Sequence, residues 1–117
     1  MNNQQSGQLG EQRAEQALLS KGYSLIARNY RALKCEIDLI MRDKTNNAIV
    51  FIEVKSRSTL AHGGGAEAVT RGKQRNIIKA ASFYLMKNDL FNENIRFDVV
   101  EVDLLSAQVN HIVNAFY

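Results

Sequence analysis

The sequence predicts an α/β fold in which a mixed sheet is flanked by helices. Three observations predict it: two segments carry apolar residues at helical spacing, at least four segments have strand character, and the longer helical segment separates two strands. A long helix is the kind of connection that parallel strands require, whereas short turns join antiparallel strands. The order helix, three strands, helix, one or two strands therefore predicts a sheet of mixed type.

The first half of the chain predicts a helix followed by three strands. Residues 10–21 place Ala14, Ala17 and Leu18 on one side of a helix, and Gly22 follows at a position typical of a helix C-cap. Residues 23–30 have strand character, and residues 35–42 and 48–56 are clearer strands separated by turn-forming residues 43–47. Residues 48–52 are apolar on both faces, which predicts that the third strand is central and buried.

The second half predicts a loop, a long helix and one or two strands. Residues 57–65 are interpreted as a loop, and its glycine triplet at 63–65 as a flexible flap, because it lacks the lysine and the serine or threonine of a phosphate-binding P-loop. Residues 66–88 predict a helix with Val69, Ile77 and Leu85 on its apolar stripe. Residues 95–102 alternate as a strand, and residues 108–114 are a candidate for another.

Length and composition exclude several classes of protein. A chain of 117 residues predicts a single domain, and its 45% apolar and 23% charged residues argue against disorder. The longest apolar run, residues 48–52, is too short to cross a bilayer, and residues 1–8 lack the apolar core of a signal peptide. The single cysteine, Cys35, excludes an internal disulfide and a cysteine-based zinc site, and fits a reducing, cytoplasmic setting without membrane partners.

Charge is unevenly distributed along the chain. The net charge of +3 divides into +6 over residues 1–79 and −3 over residues 80–117. A basic first two thirds is compatible with a polyanionic partner such as nucleic acid. Four cations that follow the third strand could supply phosphate-binding charge, although a solvated surface position is the alternative for each: Arg57, Arg71, Arg75 and Lys79.

Two carboxylates are expected to face each other on the second and third strands. If the intervening turn is centred on residues 45 and 46, opposed residues have numbers that sum to 91. Asp38 then lies opposite Glu53, and Ile40 lies opposite Phe51. Two like charges side by side cost free energy unless a cation lies between them or one takes up a proton. A divalent ion would relieve this repulsion, and Mg²⁺ favours one or two carboxylates together with water and substrate phosphate.

A lysine follows the second of these carboxylates. Lys55 is two residues beyond Glu53 on the same predicted face, where it could orient a water or offset developing negative charge. Glu36 is predicted to share a face with Asp38 and to lie opposite Lys55. A Glu36–Lys55 ion pair on a solvated face would explain the same pattern without a metal.

These residues form a pattern that resembles a known family. Asp38, fourteen further residues and then Glu53-Val54-Lys55 resemble the PD-(D/E)xK motif of restriction-endonuclease-like nucleases. The whole chain resembles the YraN family of predicted endonucleases, and it is distantly similar to the archaeal Holliday-junction resolvases. The matching stretches are Gly10-Glu11 with Ala14, Gly22-Tyr23, residues 28–31, 36–40 and 51–57, Ala68-Val69, Lys73 and residues 96–100.

The resemblance implies a fold and a set of site residues. It implies a restriction-endonuclease-like αβββαβ core spanning residues 1–117. Asp38 and Glu53 match the metal-binding carboxylates, Val54 would contribute a backbone carbonyl, Lys55 matches the catalytic lysine, and Glu11 matches a first-helix acid near the metal. One departure is Cys35, which stands where the family usually has glycine.

Two of the matched residues also have simpler explanations. Glu11 could be an exposed acid favoured by the dipole of the first helix. Lys73 lies four residues from both Val69 and Ile77, so its aliphatic stem could lie along the apolar stripe with the charge in water. The functional alternative is that Lys73, with Arg57, Arg71 and Arg75, contacts the phosphates of nucleic acid.

The leading hypothesis is an enzyme, and two other classes stay open. The enzyme would be a Mg²⁺- or Mn²⁺-dependent nuclease that hydrolyses phosphodiester bonds, with DNA favoured over RNA and branched or repair intermediates among its substrates. The alternatives are a nucleic-acid-binding module that cuts nothing, and a protein-interaction domain that docks through its acidic C-terminal third. A second copy of the chain is a further candidate partner. Neither His62 nor His111 has a partner spacing that indicates zinc.

Overall fold

The computed structural model describes residues 2–57 and 69–117 and contains a five-stranded mixed sheet flanked by two helices. This architecture confirms the predicted α/β class and is compatible with an αβββαβ core. In chain order the elements are α1 (Asn3–Ser20), β1 (Tyr23–Ala32), β2 (Cys35–Asp43), β3 (Ala48–Arg57), α2 (Arg71–Lys87), β4 (Ile95–Asp103) and β5 (Val109–Phe116). Every predicted strand is present, including the candidate fifth strand.

The strands lie side by side in the same order as in the sequence. β1, β2 and β3 form an antiparallel meander, and β5 is antiparallel to β4. β3 and β4 are parallel, because α2 carries the chain back across one face of the sheet between them. β3 is therefore the central strand, as its two apolar faces predict.

Each helix covers its own half of the core. Ala14 and Leu18 of α1 pack on one cluster of buried residues, and Ile77 and Ala81 of α2 pack on the other. Beneath α2, aromatic rings from three strands are stacked, with centroid separations of 5.5 Å and 5.2 Å along Phe51, Phe97 and Phe116. None of the described helices is long and apolar enough to cross a membrane.

The register of β2 and β3 follows the predicted rule up to a definite point. Ile40 pairs with Phe51 and Leu39 with Ile52, so the paired numbers sum to 91. The backbone ladder ends there, one position before Asp38 and Glu53. The expected site therefore begins where the two strands separate.

The alternation of side chains in β2 is interrupted at the same place. Ile37 and Ile40 both pack in the cluster beneath α2, whereas Leu39 packs beneath α1. Residues three apart cannot share a face of a regular strand, so β2 is irregular between Ile37 and Ile40. On the neighbouring strand Asn29, which lies between the partners of Leu39 and Ile37, has a left-handed backbone with φ of 49°.

Both helices begin at residues other than those predicted. α1 begins at Asn3 instead of residue 10, because Asn2 and Gln5 form a capping box: Gln5 N donates to Asn2 Oδ1 at 2.8 Å and Asn2 N donates to Gln5 Oε1 at 3.0 Å. α2 begins at Arg71 instead of residue 66, because Thr70 is its N-cap. Residues 58–68, with most of the predicted loop, the glycine triplet, His62 and Ala68, lie outside the described residues.

Candidate functional site

Three of the predicted acids meet where β2 and β3 separate. Asp38 of β2 lies within hydrogen-bonding distance of the carboxyl groups of both Glu53 on β3 and Glu11 on α1. A helix and two strands thus converge on one carboxylate. The structure brings together residues that are 42 positions apart in the chain, from Glu11 to Glu53.

Asp38 is held by the backbone of the neighbouring strand. Its Oδ2 accepts a hydrogen bond from the N–H of Val54 at 2.8 Å. Because the β2–β3 ladder has already ended at Leu39 and Ile52, the carboxylate supplies an acceptor that the β2 backbone no longer offers. Asp38 is thereby held beside Glu53, and it is bound to the same residue, Val54, whose carbonyl was predicted to contribute to the site.

Glu53 is the most deeply buried acid of the site. Its side chain is 6% exposed, and its Oε2 has no hydrogen-bond donor among the described residues. Among the described residues, the cation in ion-pair range is Lys73 of α2, whose Nζ lies 3.5 Å from that oxygen, too far for a good hydrogen bond. Burial, and next the adjacent Asp38, raise the pKa of Glu53 to about 8, which Lys73 and Lys55 counteract only in part.

Glu11 reaches the site because α1 approaches β3 very closely. A Cβ built on the preceding residue, Gly10, would lie 1.7 Å from Ser56 Oγ, so only glycine permits this contact. Burial, then the charges of Asp38 and Glu36, raise the pKa of Glu11 to about 7. Glu11 is therefore a partly buried member of an acidic cluster, and the simpler explanation of an exposed first-turn acid is wrong.

Asn29 belongs to the site although the sequence analysis did not single it out. With its amide nitrogen turned toward the acids, Asn29 donates to Glu11 Oε1 at 2.9 Å and to Glu36 Oε1 at 3.2 Å. These two hydrogen bonds partly offset the repulsion between the carboxylates of Glu11 and Glu36. The available signal was its place in the matched stretch 28–31, since asparagine tolerates the left-handed backbone needed here.

Lys55 and Glu36 are placed differently from the predicted pair. Lys55 is half-buried and close enough to Glu53 to lower the pKa of that carboxyl. Glu36 instead forms an ion pair with Arg31, at 3.0 Å from Arg31 Nη2 to Glu36 Oε2. The Glu36–Lys55 pair, which would have explained the motif without a metal, is therefore replaced by a pair across β1 and β2.

The predicted phosphate-binding cations divide between two places. Arg57 lies at the end of β3, with Nη2 3.6 Å from Glu101 Oε2 of β4. Lys73 points toward Glu53 instead of lying along the apolar stripe, while Arg71 and Arg75 are exposed at the start of α2. Of these cations, Lys73 is the one that the structure places beside the acidic cluster.

The donor set of the site suits a hard divalent cation. Asp38 and Glu53 offer carboxylate oxygens, and the orphaned Glu53 Oε2 is a buried acceptor that lacks a hydrogen-bond donor among the described residues. Within residues 2–57 and 69–117, however, no group of three or more His, Cys, Asp or Glu side chains is arranged to hold a metal ion. The residues that could hold such an ion are Asp38, Glu53 and the Val54 carbonyl, two carboxylates and one backbone oxygen.

A groove leads away from the acidic cluster along α1. It has a volume of about 500 Å³ and is rich in amide side chains. Its lining residues include Gln8, Glu11, Gln12 and Gln16 of α1, with Arg28 and Asn29 of β1. Arg28 binds Glu15 there through two hydrogen bonds of 2.6 Å and 2.8 Å.

A second polar cluster lies inside the fold, and the sequence analysis missed it. Arg96 of β4 binds both oxygens of Asp98 at 2.9 Å, and also reaches Asp43 at 3.1 Å and the Tyr23 hydroxyl at 2.6 Å. His111 Nε2 lies 2.7 Å from Asp98 Oδ2, which gives this histidine a carboxylate partner in place of a metal. The sequence signal for this cluster was the placement of opposite charges two residues apart on one strand, at Arg96 and Asp98, which puts both side chains on the same face.

Comparison with known proteins gives one consistent result. The sequence pattern of the family described as "Uncharacterised protein family UPF0102" matches residues 10–102. A UPF0102 protein of Clostridioides difficile is 48% identical over 116 residues, which cover 99% of this chain and 100% of that protein. A UPF0102 protein of Desulfosudis oleivorans is 43% identical, with 97% and 90% of the two chains covered, and one of Legionella pneumophila is 41% identical, with 97% and 95% covered.

Proposed function

The chain belongs to the UPF0102 family, also called the YraN family, and we propose that it is a metal-dependent nuclease that hydrolyses phosphodiester bonds of nucleic acid, with DNA as the favoured substrate. The observation that carries the proposal is Glu53 Oε2, a buried carboxylate oxygen without a hydrogen-bond donor among the described residues, next to a second carboxylate. Such a pair is stable with a shared proton or a bound cation. In the proposal the pair binds a divalent cation, which stabilises both carboxylates in their charged form at neutral pH.

The metal-holding residues of the proposal are Asp38, Glu53 and the Val54 carbonyl. Mg²⁺ or Mn²⁺ bound there would neutralise charge on the scissile phosphate and lower the pKa of an attacking water. Asp38 is oriented for this role by its hydrogen bond from Val54 N. Glu11, with its pKa raised to about 7, can exchange a proton near neutral pH, which suits an acid beside the reacting water.

Lys55 supplies positive charge without ligating the metal. It lies close enough to Glu53 to lower the pKa of that carboxyl and is half-buried, so its charge is only partly screened by solvent. In the proposal Lys55 positions the water and stabilises the negative charge that develops as the phosphodiester bond breaks. Interactions that strengthen in the transition state raise the rate most.

The substrate would lie across the start of α2. Arg71 and Arg75 are exposed there, and Lys73 is next to the acidic cluster. Cations that neutralise phosphates bind nucleic acid without regard to sequence and in a salt-dependent way. Arg57 at the end of β3 is a further candidate contact in the proposal.

One contact favours a second function, a nucleic-acid-binding module that cuts nothing. Lys73 Nζ, at 3.5 Å from Glu53 Oε2, already provides a cation at the oxygen that a metal would use. If that ion pair persists with substrate bound, the acidic cluster is neutralised by lysine and the basic surface of α2 only holds the nucleic acid.

The deciding experiment is cleavage of a panel of single-stranded, duplex and branched DNA and RNA substrates with Mg²⁺, Mn²⁺ or EDTA. The proposal expects metal-dependent cleavage by the wild-type chain and none by Glu53→Ala. Glu93→Ala, which removes an acid that precedes β4 and pairs with Arg42 outside the acidic cluster, is the matched control and should cut normally. Binding without cleavage by the wild-type chain under every metal condition would support the binding module instead.

Two further expectations from the sequence stay predictions. Association of two copies of the chain is tested by sedimentation equilibrium of the purified protein. A cytoplasmic location is tested by fractionation of cells that make it.

A further inference from the structure

The groove along α1 presents a row of uncharged amide side chains. Gln8, Gln12 and Gln16 follow one another at intervals of four residues, so they lie on one side of the helix, about 6 Å apart along its axis. All three are exposed, so their amide groups are accessible to a ligand. An amide has both a donor and an acceptor, whereas lysine only donates and a carboxylate only accepts. This wall therefore suits a ligand that has donors and acceptors along one edge.

The charge of the groove argues against a phosphate inside it. Its described lining contains one cation, Arg28, and two acids, Glu11 and Glu15. Arg28 is already paired with Glu15, at 2.6 Å from Arg28 Nε to Glu15 Oε1. Because the one cation in this lining is compensated and Glu11 repels anions when it is ionised, an uncharged ligand is favoured.

The pair of Arg28 and Glu15 also offers a flat surface. Two hydrogen bonds, 2.6 Å from Nε and 2.8 Å from Nη2, join the guanidinium to both carboxylate oxygens and hold its plane. The side chain of Arg28 nevertheless stays 60% exposed. Planar rings stack on guanidinium groups, and the exposed Leu19 adds apolar surface to the same groove. These side chains favour a flat ligand.

A ligand that is flat, uncharged and rich in donors and acceptors at its edge has the properties of a nucleobase. Glutamine side chains recognise base edges through paired hydrogen bonds. The groove, at about 500 Å³, has the size of a site for a small molecule, so it has room for a single nucleoside and not for a double helix. A base can enter it only when it is unpaired or turned out of the stack.

Glu11 connects the groove with the acidic cluster. It lines the groove and lies within hydrogen-bonding distance of Asp38. Asn29, which also lines the groove, donates to Glu11 Oε1 at 2.9 Å. A base held in the groove would therefore belong to a nucleotide close to the Asp38–Glu53 pair.

We propose that the groove along α1 binds one unpaired nucleobase of the substrate strand, with Gln12 and Gln16 at the edge of the base and Arg28 against its face. The inference rests on the proposed function, which makes the ligand part of a nucleic acid. It narrows the substrate class to nucleic acid with an unpaired or readily unpaired base beside the bond that is cut. Phosphates are left to the cations outside the groove.

The first test is a titration of the ¹⁵N-labelled chain with deoxyadenosine, a nucleoside without phosphate, followed by NMR. The side-chain amide signals of Gln12 and Gln16 and the Nε–H signal of Arg28 should move in a saturable way. The side-chain amide of Gln108, exposed between β4 and β5, should not move. Deoxyribose, the sugar without a base, should move none of these signals. No movement at the groove, or an equal response to the sugar alone, would overturn the proposal.

A variant extends the test to nucleic acid, with affinities measured in EDTA. Gln12→Ala combined with Gln16→Ala keeps strong helix formers in α1, so its melting temperature should equal or exceed that of the wild type. Its affinity for a duplex with a single-stranded tail should fall about tenfold, the scale of a lost amide–base contact. The slope of log affinity against log salt should stay the same, because no phosphate contact is lost.

Two controls accompany this variant. Its affinity for a blunt, fully paired duplex should change less than about twofold, because stacked bases cannot enter the groove. Gln108→Ala, which removes an exposed amide away from the groove, should leave both affinities unchanged. An equal loss for tailed and blunt DNA, or a flatter salt dependence, would contradict the base site.

These measurements need no cleavage, so the two proposals can fail separately. Saturable deoxyadenosine binding in a chain that cuts no substrate would refute the nuclease and keep the base site. Metal-dependent cleavage by a chain whose groove signals do not respond to deoxyadenosine would refute the base site and keep the nuclease.

Discussion

Asp38 accepts a hydrogen bond from the backbone N–H of Val54 at 2.8 Å, across the point where β2 and β3 separate. The hydrogen bond lies just beyond the last backbone pair of the two strands and fixes the position of the Asp38 carboxylate there. Glu53 is then held beside Asp38 by its own strand, and the two acids must share a proton or a cation.

The first prediction concerns metal binding. Mn²⁺ should stabilise the wild-type chain by mass action, by about 2.7 kcal/mol at one hundred times its dissociation constant. Asp38→Asn should remove this effect while an amide oxygen still accepts the hydrogen bond from Val54. Melting curves with and without Mn²⁺ measure both. Glu36→Gln, the same change of acid to amide on the same strand, should keep the stabilisation, and an undiminished shift in Asp38→Asn would exclude that carboxylate as a ligand.

The second prediction concerns pH. The pKa of Glu53 is raised to about 8 and that of Glu11 to about 7, from ordinary values of 4.5, because both are partly desolvated next to Asp38. Between pH 4.5 and 8 these two carboxyls bind more protons in the folded chain than in the unfolded chain, so their contribution to stability is complete below about pH 4.5 and is lost as pH rises toward 8.

Urea unfolding of the metal-free chain across this pH range measures that slope. Glu53→Gln should make it shallower, because its amide cannot ionise, and saturating Mn²⁺ should do the same in the wild type. A free energy of unfolding that rises between pH 5 and pH 8 in metal-free wild type would contradict the assignment.

The strands were predictable because their signal is local. Alternating apolar residues mark β2 and β4, and a run that is apolar on both faces marks the central β3. The turn between β2 and β3 also determines their register, so the approach of Asp38 to Glu53 followed from counting. The start of α1 was missed because residues 3–8 carry no apolar side chain, and only the capping pair of Asn2 and Gln5 indicates it.

The remainder of the site depends on contacts between distant segments. The reach of Lys73 to Glu53 requires the position of α2 above the sheet, and the amide of Asn29 meets Glu11 only because α1 packs closely on β3. Neither contact could be predicted from the spacing of residues along the sequence, because each depends on how a helix packs on the sheet. The same is true of the buried Arg96, whose acceptors come from three strands.

The third prediction concerns that buried arginine. Burial and the ion pair oppose each other at Asp98, where the hydrogen bonds from His111 and Arg96 win and hold the pKa of the carboxyl below its usual range. Arg96→Met would leave Asp98 and Asp43 buried without their cation, so it should cost about 3–5 kcal/mol of unfolding free energy. Urea unfolding measures the loss. Arg28→Met, which removes a solvent-exposed ion pair, should change stability little, and equal losses would show that burial of the pair is not the cause.

The fourth prediction concerns the contact that positions Glu11. Gly10→Ala places a methyl group 1.7 Å from Ser56 Oγ, so α1 must move and stability should fall by about 1–3 kcal/mol. Ser56→Gly removes both nearby side-chain atoms and leaves Ser56 Cα at 3.8 Å, an ordinary contact. A double-mutant cycle of the two changes should therefore show favourable coupling of about 0.5–3 kcal/mol. Additive losses would mean that α1 is not held at this point.

The fifth prediction separates the nuclease from the binding module and depends on Lys55. This lysine does not belong to the metal-holding residues of the proposal, so Lys55→Ala should keep the Mn²⁺ stabilisation. It should lower cleavage by roughly two to three orders of magnitude, because the lost charge acts mainly on the transition state. Its affinity for uncleaved nucleic acid should change little, since one cation among many backbone contacts contributes a small part of binding.

Single-turnover cleavage and equilibrium binding in EDTA give the two quantities for this variant. Lys34→Ala removes an exposed lysine from the β1–β2 turn and is the matched control, which should leave both unchanged. A loss of binding as large as the loss of cleavage would mean that Lys55 holds the substrate and does not act on the reaction. If wild type cuts nothing on the panel and Lys55→Ala only weakens binding, the acidic cluster and its lysines serve to hold nucleic acid, with Lys73 in place of a metal on Glu53.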